Sequence, residues 1–170
     1  MNSVYVLLML LLCGCASAEP SLESSAIQEV SVPNRFRKEP ACVVKLPRTK
    51  AVCSVKGCSM PLTKGSTLKS LELTFTCVPK LSPTGFDNAA DYAKLVPLRA
   101  RNAYGDMLLI DDIEGEPEER MRQLDFCLYG KEANFCGGAN VLRLIDGEKA
   151  DATADIKAFI ESIELRDGTL

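Results

Sequence analysis

The sequence contains no histidine and no tryptophan, and only 6% of its residues are aromatic. Without histidine the chain cannot form a Ser-His-Asp triad or a Cys-His pair, and it has no imidazole for acid–base catalysis or metal binding. Proteins that stack on nucleic-acid bases usually do so with aromatic side chains, and this chain has few of them. We therefore expect a protein that is not an enzyme, uses no cofactor and binds no nucleic acid.

The first 18 residues have the pattern of a secretory signal. The apolar run Val4–Leu12 is too short to cross a bilayer as a helix, but its length is typical of the apolar segment of an export signal. An A-x-A motif ending at Ala18 fits ordinary signal cleavage. The four residues ending at Cys15 instead resemble a bacterial lipobox, in which Cys15 is lipidated and becomes the mature N-terminus. The sequence leaves this choice open, and both alternatives predict export.

Six cysteines follow the leader. An even number of cysteines in an exported protein indicates disulfides, because the exported space is oxidising. Cys53 and Cys58 flank a short turn, and Cys127 and Cys136 flank a predicted hairpin turn. Zinc is the competing interpretation, but the chain has no histidine and the second pair is too widely spaced for a zinc site. Six cysteines allow 15 pairings, so the sequence does not fix the connectivity. The pairs that we expect are Cys42–Cys77, Cys53–Cys58 and Cys127–Cys136, and two buried free thiols are the alternative for the last pair.

Three segments are expected along the chain. Residues 1–18 form the signal peptide, and residues 19–34, rich in Ser, Glu, Ala and Pro, form a flexible tether. Residues 35–170 form a single disulfide-bonded domain, which is long enough to bury a core.

The run Gly137-Gly138-Ala139-Asn140 does not match a phosphate-binding loop, and we interpret it as the start of a strand or a bulge.

Alternation of apolar and polar residues predicts strands with one buried and one wet face. The predicted strands are Ala41–Leu46, Lys50–Val55, Ser66–Cys77, Asp106–Ile113, Gln123–Tyr129 and Ala139–Ile145. A short helix is expected over Asp87–Leu95, stopped by Pro97. Apolar residues at helical spacing predict an amphipathic helix over Asp151–Leu165. This order indicates an α+β fold, with a mainly antiparallel sheet and the C-terminal helix packed on it.

Charge is divided along the chain. Residues 35–80 carry ten basic and two acidic side chains, whereas residues 81–170 carry ten basic and eighteen acidic ones. The acidic residues are densest between 106 and 119, where no basic residue occurs. Such a surface can steer association with a charged partner, although solvated charges without a partner are the alternative. The candidate partner-binding residues are Asp106, Asp111, Asp112, Glu114, Glu116, Glu118 and Glu119.

These carboxylates do not predict a catalytic or metal site. Asp111 and Asp112 are adjacent on a strand and point to opposite faces, which makes them a poor acid–base pair. The acidic stretch also lacks the D-x-D-x-D-G spacing of a calcium-binding loop. No residue set in the chain is therefore predicted to be catalytic or to bind a metal.

Two stretches of the C-terminal half carry a family resemblance. FCLYGKEANFCGGANVLRL (Phe126–Leu144) and ADIKAFIESIEL (Ala154–Leu165) resemble the ending of small periplasmic immunity proteins paired with type VI secretion effectors of the lipase and phospholipase class. The leader resembles that of a Gram-negative lipoprotein. The resemblance implies a periplasmic protein, anchored to the outer membrane if Cys15 is lipidated, that binds and blocks a cognate toxin. The alternative is an envelope lipoprotein with a structural or assembly role.

Overall fold

The computed structural model describes residues 27–36, 39, 41–47, 51–61, 72–80, 86 and 93–168. The signal peptide, the first part of the predicted tether and residues 87–92 of the predicted short helix lie outside the described residues. So do residues 66–71 of the predicted strand Ser66–Cys77. Across these described ranges, no helix has the length and apolar character needed to span a membrane.

Seven antiparallel strands form the main sheet. Their bounds are β3 Val52–Ser54, β4 Gly57–Pro61, β5 Glu72–Pro79, β6 Ala93–Arg99, β7 Tyr104–Asp112, β8 Met121–Leu128 and β9 Ala133–Arg143. The strand order in space is β3-β4-β5-β9-β8-β7-β6. Leu124, Phe126 and Leu128 of β8 are buried, whereas Gln123 and Asp125 are exposed on the opposite face. The sheet therefore has one face on the core and one open face, as antiparallel sheets often do.

A small antiparallel sheet covers part of the core face. It consists of β1 Ile27–Val32, β2 Cys42–Pro47 and β10 Glu164–Leu165, in the order β1-β2-β10. Its buried valines and leucines join the same hydrophobic cluster as the core residues of the main sheet. The Cys42–Cys77 disulfide connects β2 to β5 and so fastens the small sheet to the large one.

The helix α1 Thr153–Glu161 also packs on the core face, through Ile156 and Ile160. It is shorter than the predicted helix Asp151–Leu165. At its start, the Asp151 carboxylate accepts a hydrogen bond from the Thr153 N–H at 2.8 Å. At its end, the chain must turn to place Glu164–Leu165 beside β2 as a strand, so the helix cannot continue.

The fold is largely β, and the α+β prediction holds only in its mainly antiparallel sheet and its packed helix. Within the described residues the predicted helix Asp87–Leu95 is wrong for residues 93–95, which belong to β6. Pro97 suggested a helix stop, but proline is also compatible with an edge strand, where one side of the backbone has no partner. β6 is the edge strand of the main sheet.

Two further predictions are corrected. Part of the predicted tether is the strand β1, because Val30 and Val32 are buried and the whole of Ile27–Val32 pairs with β2. Gly137 and Gly138 lie in the middle of β9, paired with β5 on one side and β8 on the other. The ladder irregularity follows this run on β9: Arg122 and Gln123 of β8 pair with Leu142 and Asn140, so Val141 is the extra residue.

The three disulfides pair the cysteines as the sequence predicts. Cys53 and Cys58 are directly opposite each other on β3 and β4. Cys127 and Cys136 are directly opposite on β8 and β9. These two bridges hold neighbouring strands together, whereas the third joins the two sheets.

Candidate functional site

The seven candidate carboxylates do not form one patch. Asp106 lies near the beginning of β7, where its carboxylate accepts a hydrogen bond from the Tyr129 hydroxyl at 2.7 Å. Asp112 is the last residue of the same strand, roughly 20 Å further along at the usual rise per residue. Asp106 is therefore separated from the other candidates by most of the length of the strand.

Asp111 is engaged within the fold. Arg122, directly opposite on β8, donates hydrogen bonds to both Asp111 carboxylate oxygens at 2.7 and 3.0 Å. The same guanidinium binds Asp151 at 2.7 Å and lies 3.2 Å from Glu148. The hydrogen bond from Arg122 lowers the pKa of Asp111, and these carboxylates together raise the pKa of Arg122. Asp111 therefore belongs to an ion-pair cluster that ties β7, β8 and the start of α1 together.

The loop between β7 and β8, residues 113–120, has a defined shape. The Glu114 N–H donates to the Asp112 carboxylate at 3.1 Å. The Glu119 N–H donates to the Glu116 carbonyl at 2.9 Å and closes a tight turn. The Arg120 Nε donates to a loop carbonyl at 3.2 Å. These three hydrogen bonds fix the loop backbone before any partner binds.

The loop presents negative charge to solvent. Within the described part of the chain, its four glutamates form no ion pair; they are Glu114, Glu116, Glu118 and Glu119. Every residue from 113 to 119 is exposed, and Ile113 is 67% exposed. The loop therefore offers several free carboxylates beside one apolar side chain, a combination suited to contact with a positively charged partner surface.

A second surface, which was not predicted, lies on the open face of the main sheet. One residue from each strand is aligned in a row across this face: Val52, Ser59, Thr74, Gly138, Asp125, Leu108 and Leu95. Gly138 has no side chain, so the row is interrupted above β9. A groove of about 950 Å³ lies here, with Thr74 on one side and Asp125 on the other. We call it the β9 groove.

Asp125 is the distinctive residue of the β9 groove. A Cβ atom on Gly138 would overlap an Asp125 carboxylate oxygen, so this carboxylate leans over the glycine. Its side chain contacts solvent, but its place in the groove removes part of its hydration, and this burial raises the pKa of Asp125. Among the residues that the structure describes, no hydrogen-bond donor or cation is paired with it.

The two ends of the β9 groove differ in charge. Arg35, whose N–H donates to the Cys77 carbonyl, and Lys56, in the turn before β4, line one end. Glu72, at the start of β5, lines the other. The groove is therefore basic at one end and acidic at the other, and the Asp125 carboxylate between them has no partner among the described residues.

In the described ranges, no group of three or more histidine, cysteine, aspartate or glutamate residues is placed to hold a metal ion.

The alternation of apolar and polar residues along β8 was enough to predict that Asp125 lies on a solvent-exposed face. What it could not reveal is that β5 and β9, far apart in sequence, complete the groove, since strand pairing is not encoded locally.

No protein-family model, curated protein or solved structure matches the chain. Within the part of the chain that the structure describes, the loop 113–120 and the β9 groove are two surfaces equipped to bind a partner.

Proposed function

We propose that the protein is a periplasmic immunity protein that binds and inhibits a toxic lipase or phospholipase effector of a type VI secretion system. The observation that carries the proposal is the exposed, preformed loop 113–120, whose four glutamates form no ion pair with the described residues. The export signal and the three disulfides favour action outside the cytoplasm. The absence of histidine favours binding over turnover.

The charge of the loop explains how inhibition would work. An enzyme that cleaves a phospholipid presents positive charge to the phosphate of its substrate. A loop rich in carboxylates competes for that charge, and complementary charge also speeds the encounter of the two proteins. Because the backbone of the loop is already fixed by hydrogen bonds, little conformational freedom is lost on binding.

The test begins with the mature, oxidised protein, tagged and purified from its own cell envelope together with whatever binds it. The co-purified protein is assayed for lipase and phospholipase activity with and without added immunity protein. The loop variant Glu116→Gln/Glu118→Gln/Glu119→Gln removes three charges. The control Glu132→Gln/Asp155→Asn/Asp167→Asn removes three exposed charges elsewhere.

We expect the original protein and the control to inhibit the hydrolase, and the loop variant to inhibit about 100-fold more weakly, at about 1 kcal/mol for each lost charge contact. Equal inhibition by the loop variant would remove the loop from the interface. A co-purified partner without hydrolase activity, such as an envelope assembly component, would instead support the structural lipoprotein role.

A further inference from the structure

We propose that the β9 groove is a docking site for an extended segment of a partner polypeptide, and that a lysine or arginine of this segment pairs with Asp125. The proposal goes beyond inhibition by the acidic loop, because it assigns a different surface and a different charge to the partner. It can be tested without the toxin, so it stands or falls separately from the proposed function.

The shape of the groove suits one extended chain. Adjacent strands lie about 4.8 Å apart, so the backbones that carry Thr74 and Asp125 are roughly 10 Å apart with only Gly138 between them. A glycine in a strand interior allows another backbone to approach closely. The groove follows the direction of β9, so an extended segment can lie along it over several residues.

The charged residues that line the groove determine which kind of peptide segment it can bind. Asp125 is a partly desolvated carboxylate with no partner in the described residues, so a cation placed against it gains more than it would at a fully hydrated acid. Arg35 and Lys56 at one end disfavour a cation there and favour an acidic group, so they orient the segment.

The open shape of the groove favours a polypeptide over a small molecule. Small-molecule sites are typically enclosed, whereas this groove is open, and its lining combines apolar surface with hydroxyl and amide side chains. Ser59, Thr74, Gln123 and Asn140 supply donors and acceptors that can satisfy the peptide groups of a bound segment.

The probe is a capped pentapeptide, acetyl-Ser-Thr-Lys-Thr-Ser-amide, titrated into the oxidised protein and followed by NMR chemical shifts. Its matched control has norleucine in place of lysine, which keeps the side-chain length and removes the charge. We expect the lysine peptide to perturb Thr74, Gln123 and Asp125 and to bind at least about 10-fold more tightly than the norleucine peptide.

Asp125→Asn should abolish this preference for lysine, whereas Asp155→Asn, on the exposed face of α1, should retain it. Asp125→Asn should also fold well. Since burial raises the pKa of Asp125, the folded protein disfavours the charged carboxylate at neutral pH, and removing that charge should leave the melting temperature unchanged or higher. Lost binding would then not reflect unfolding.

Three results would overturn the proposal. The first is equal binding of the lysine and norleucine peptides, and the second is an unchanged lysine preference in Asp125→Asn. The third is butylamine alone binding as tightly as the lysine peptide, which would make the groove a site for small cations. In support, lysine-peptide binding should weaken as the pH falls through the pKa of Asp125.

Discussion

Among single residues, Arg122 shows most clearly that the sequence alone does not reveal which charged side chains are paired. One guanidinium is paired with Asp111 and Asp151 and lies beside Glu148. Arginine suits this position because its planar fork can bind one carboxylate with two hydrogen bonds and still reach others. The sequence identified Asp111 as part of an acidic stretch, but only the pairing of β7 with β8 shows which of those acids has a partner.

Arg122→Gln is expected to lower the free energy of unfolding by about 2 kcal/mol, less than for a fully buried pair because Asp111 is 42% exposed. Arg122 lowers the folded-state pKa of Asp111, so this stabilisation is fully present above the ordinary value of about 4. It is lost as the pH falls through the depressed folded value. Urea denaturation at pH 7 and at pH 3 measures both effects.

The control is Arg143→Gln, which breaks a surface pair with Asp146 within one turn of chain. It should change stability by no more than about 0.5 kcal/mol. A loss from Arg122→Gln that is just as large at pH 3 as at pH 7 would show that the arginine acts through packing, and not through its carboxylate partners.

At the scale of strands and helices, the alternation of apolar and polar residues predicted strands correctly where one face of the strand is buried and the other is exposed to solvent. Leu73, Phe75 and Cys77 of β5 follow this rule, and so does β8. β1 escaped prediction because its two buried valines stand in a stretch rich in serine and glutamate. β6 was misread because Pro97 serves equally as a helix stop and as an edge-strand residue.

The β9 groove could not be predicted for a different reason. Its sides belong to β5 and β8, and its floor to Gly138, so it exists only through the order of strands in space. Strand order depends on contacts between distant parts of the chain. A pattern of alternating residues indicates which face of a strand is wet, but not which strand lies beside it.

The disulfides should differ in their contribution to stability according to the length of chain that each encloses. Cys42 and Cys77 are 35 residues apart, whereas Cys53 and Cys58 are 5 apart. By the entropy of loop closure, Cys42→Ala/Cys77→Ala should cost about 4 kcal/mol and Cys53→Ala/Cys58→Ala about 2 kcal/mol. Guanidinium denaturation of both variants under oxidising conditions checks this order. An equal cost for both would contradict it.

For the molecule as a whole, the division of charge along the chain is partly mixed by folding. Lys45, from the basic half, pairs with Glu164 at 2.6 Å, and Arg166, from the acidic half, pairs with Glu29. Both contacts lie where β2 meets its neighbours β1 and β10 in the small sheet. Within the described ranges, exposed charges that form no ion pair include those of the loop 113–120 and those at the ends of the β9 groove.

The last prediction for the whole molecule concerns the leader, residues 1–18, and the attachment of the protein to a membrane. If Cys15 is lipidated, which is one of the two alternatives that the sequence leaves open, the protein should fractionate with membranes, and Cys15→Ser should move it to the soluble periplasmic fraction. Cys13→Ser is the matched control, since it removes a thiol from the same leader without removing the acceptor. Recovery of the original protein in the soluble fraction, or an N-terminus at Glu19 by mass spectrometry, would favour cleavage after Ala18. Membrane association that survives Cys15→Ser would contradict anchoring through a lipid on Cys15.

Because β1 belongs to the small sheet, it limits the distance between the folded domain and a lipid attached to Cys15. Only residues 16–26 separate Cys15 from the first residue of β1. A fully stretched chain of this length reaches about 40 Å, roughly the thickness of one bilayer. If Cys15 is lipidated, so short a connection would hold the domain at the lipid surface, which is where the proposed phospholipase partner would act.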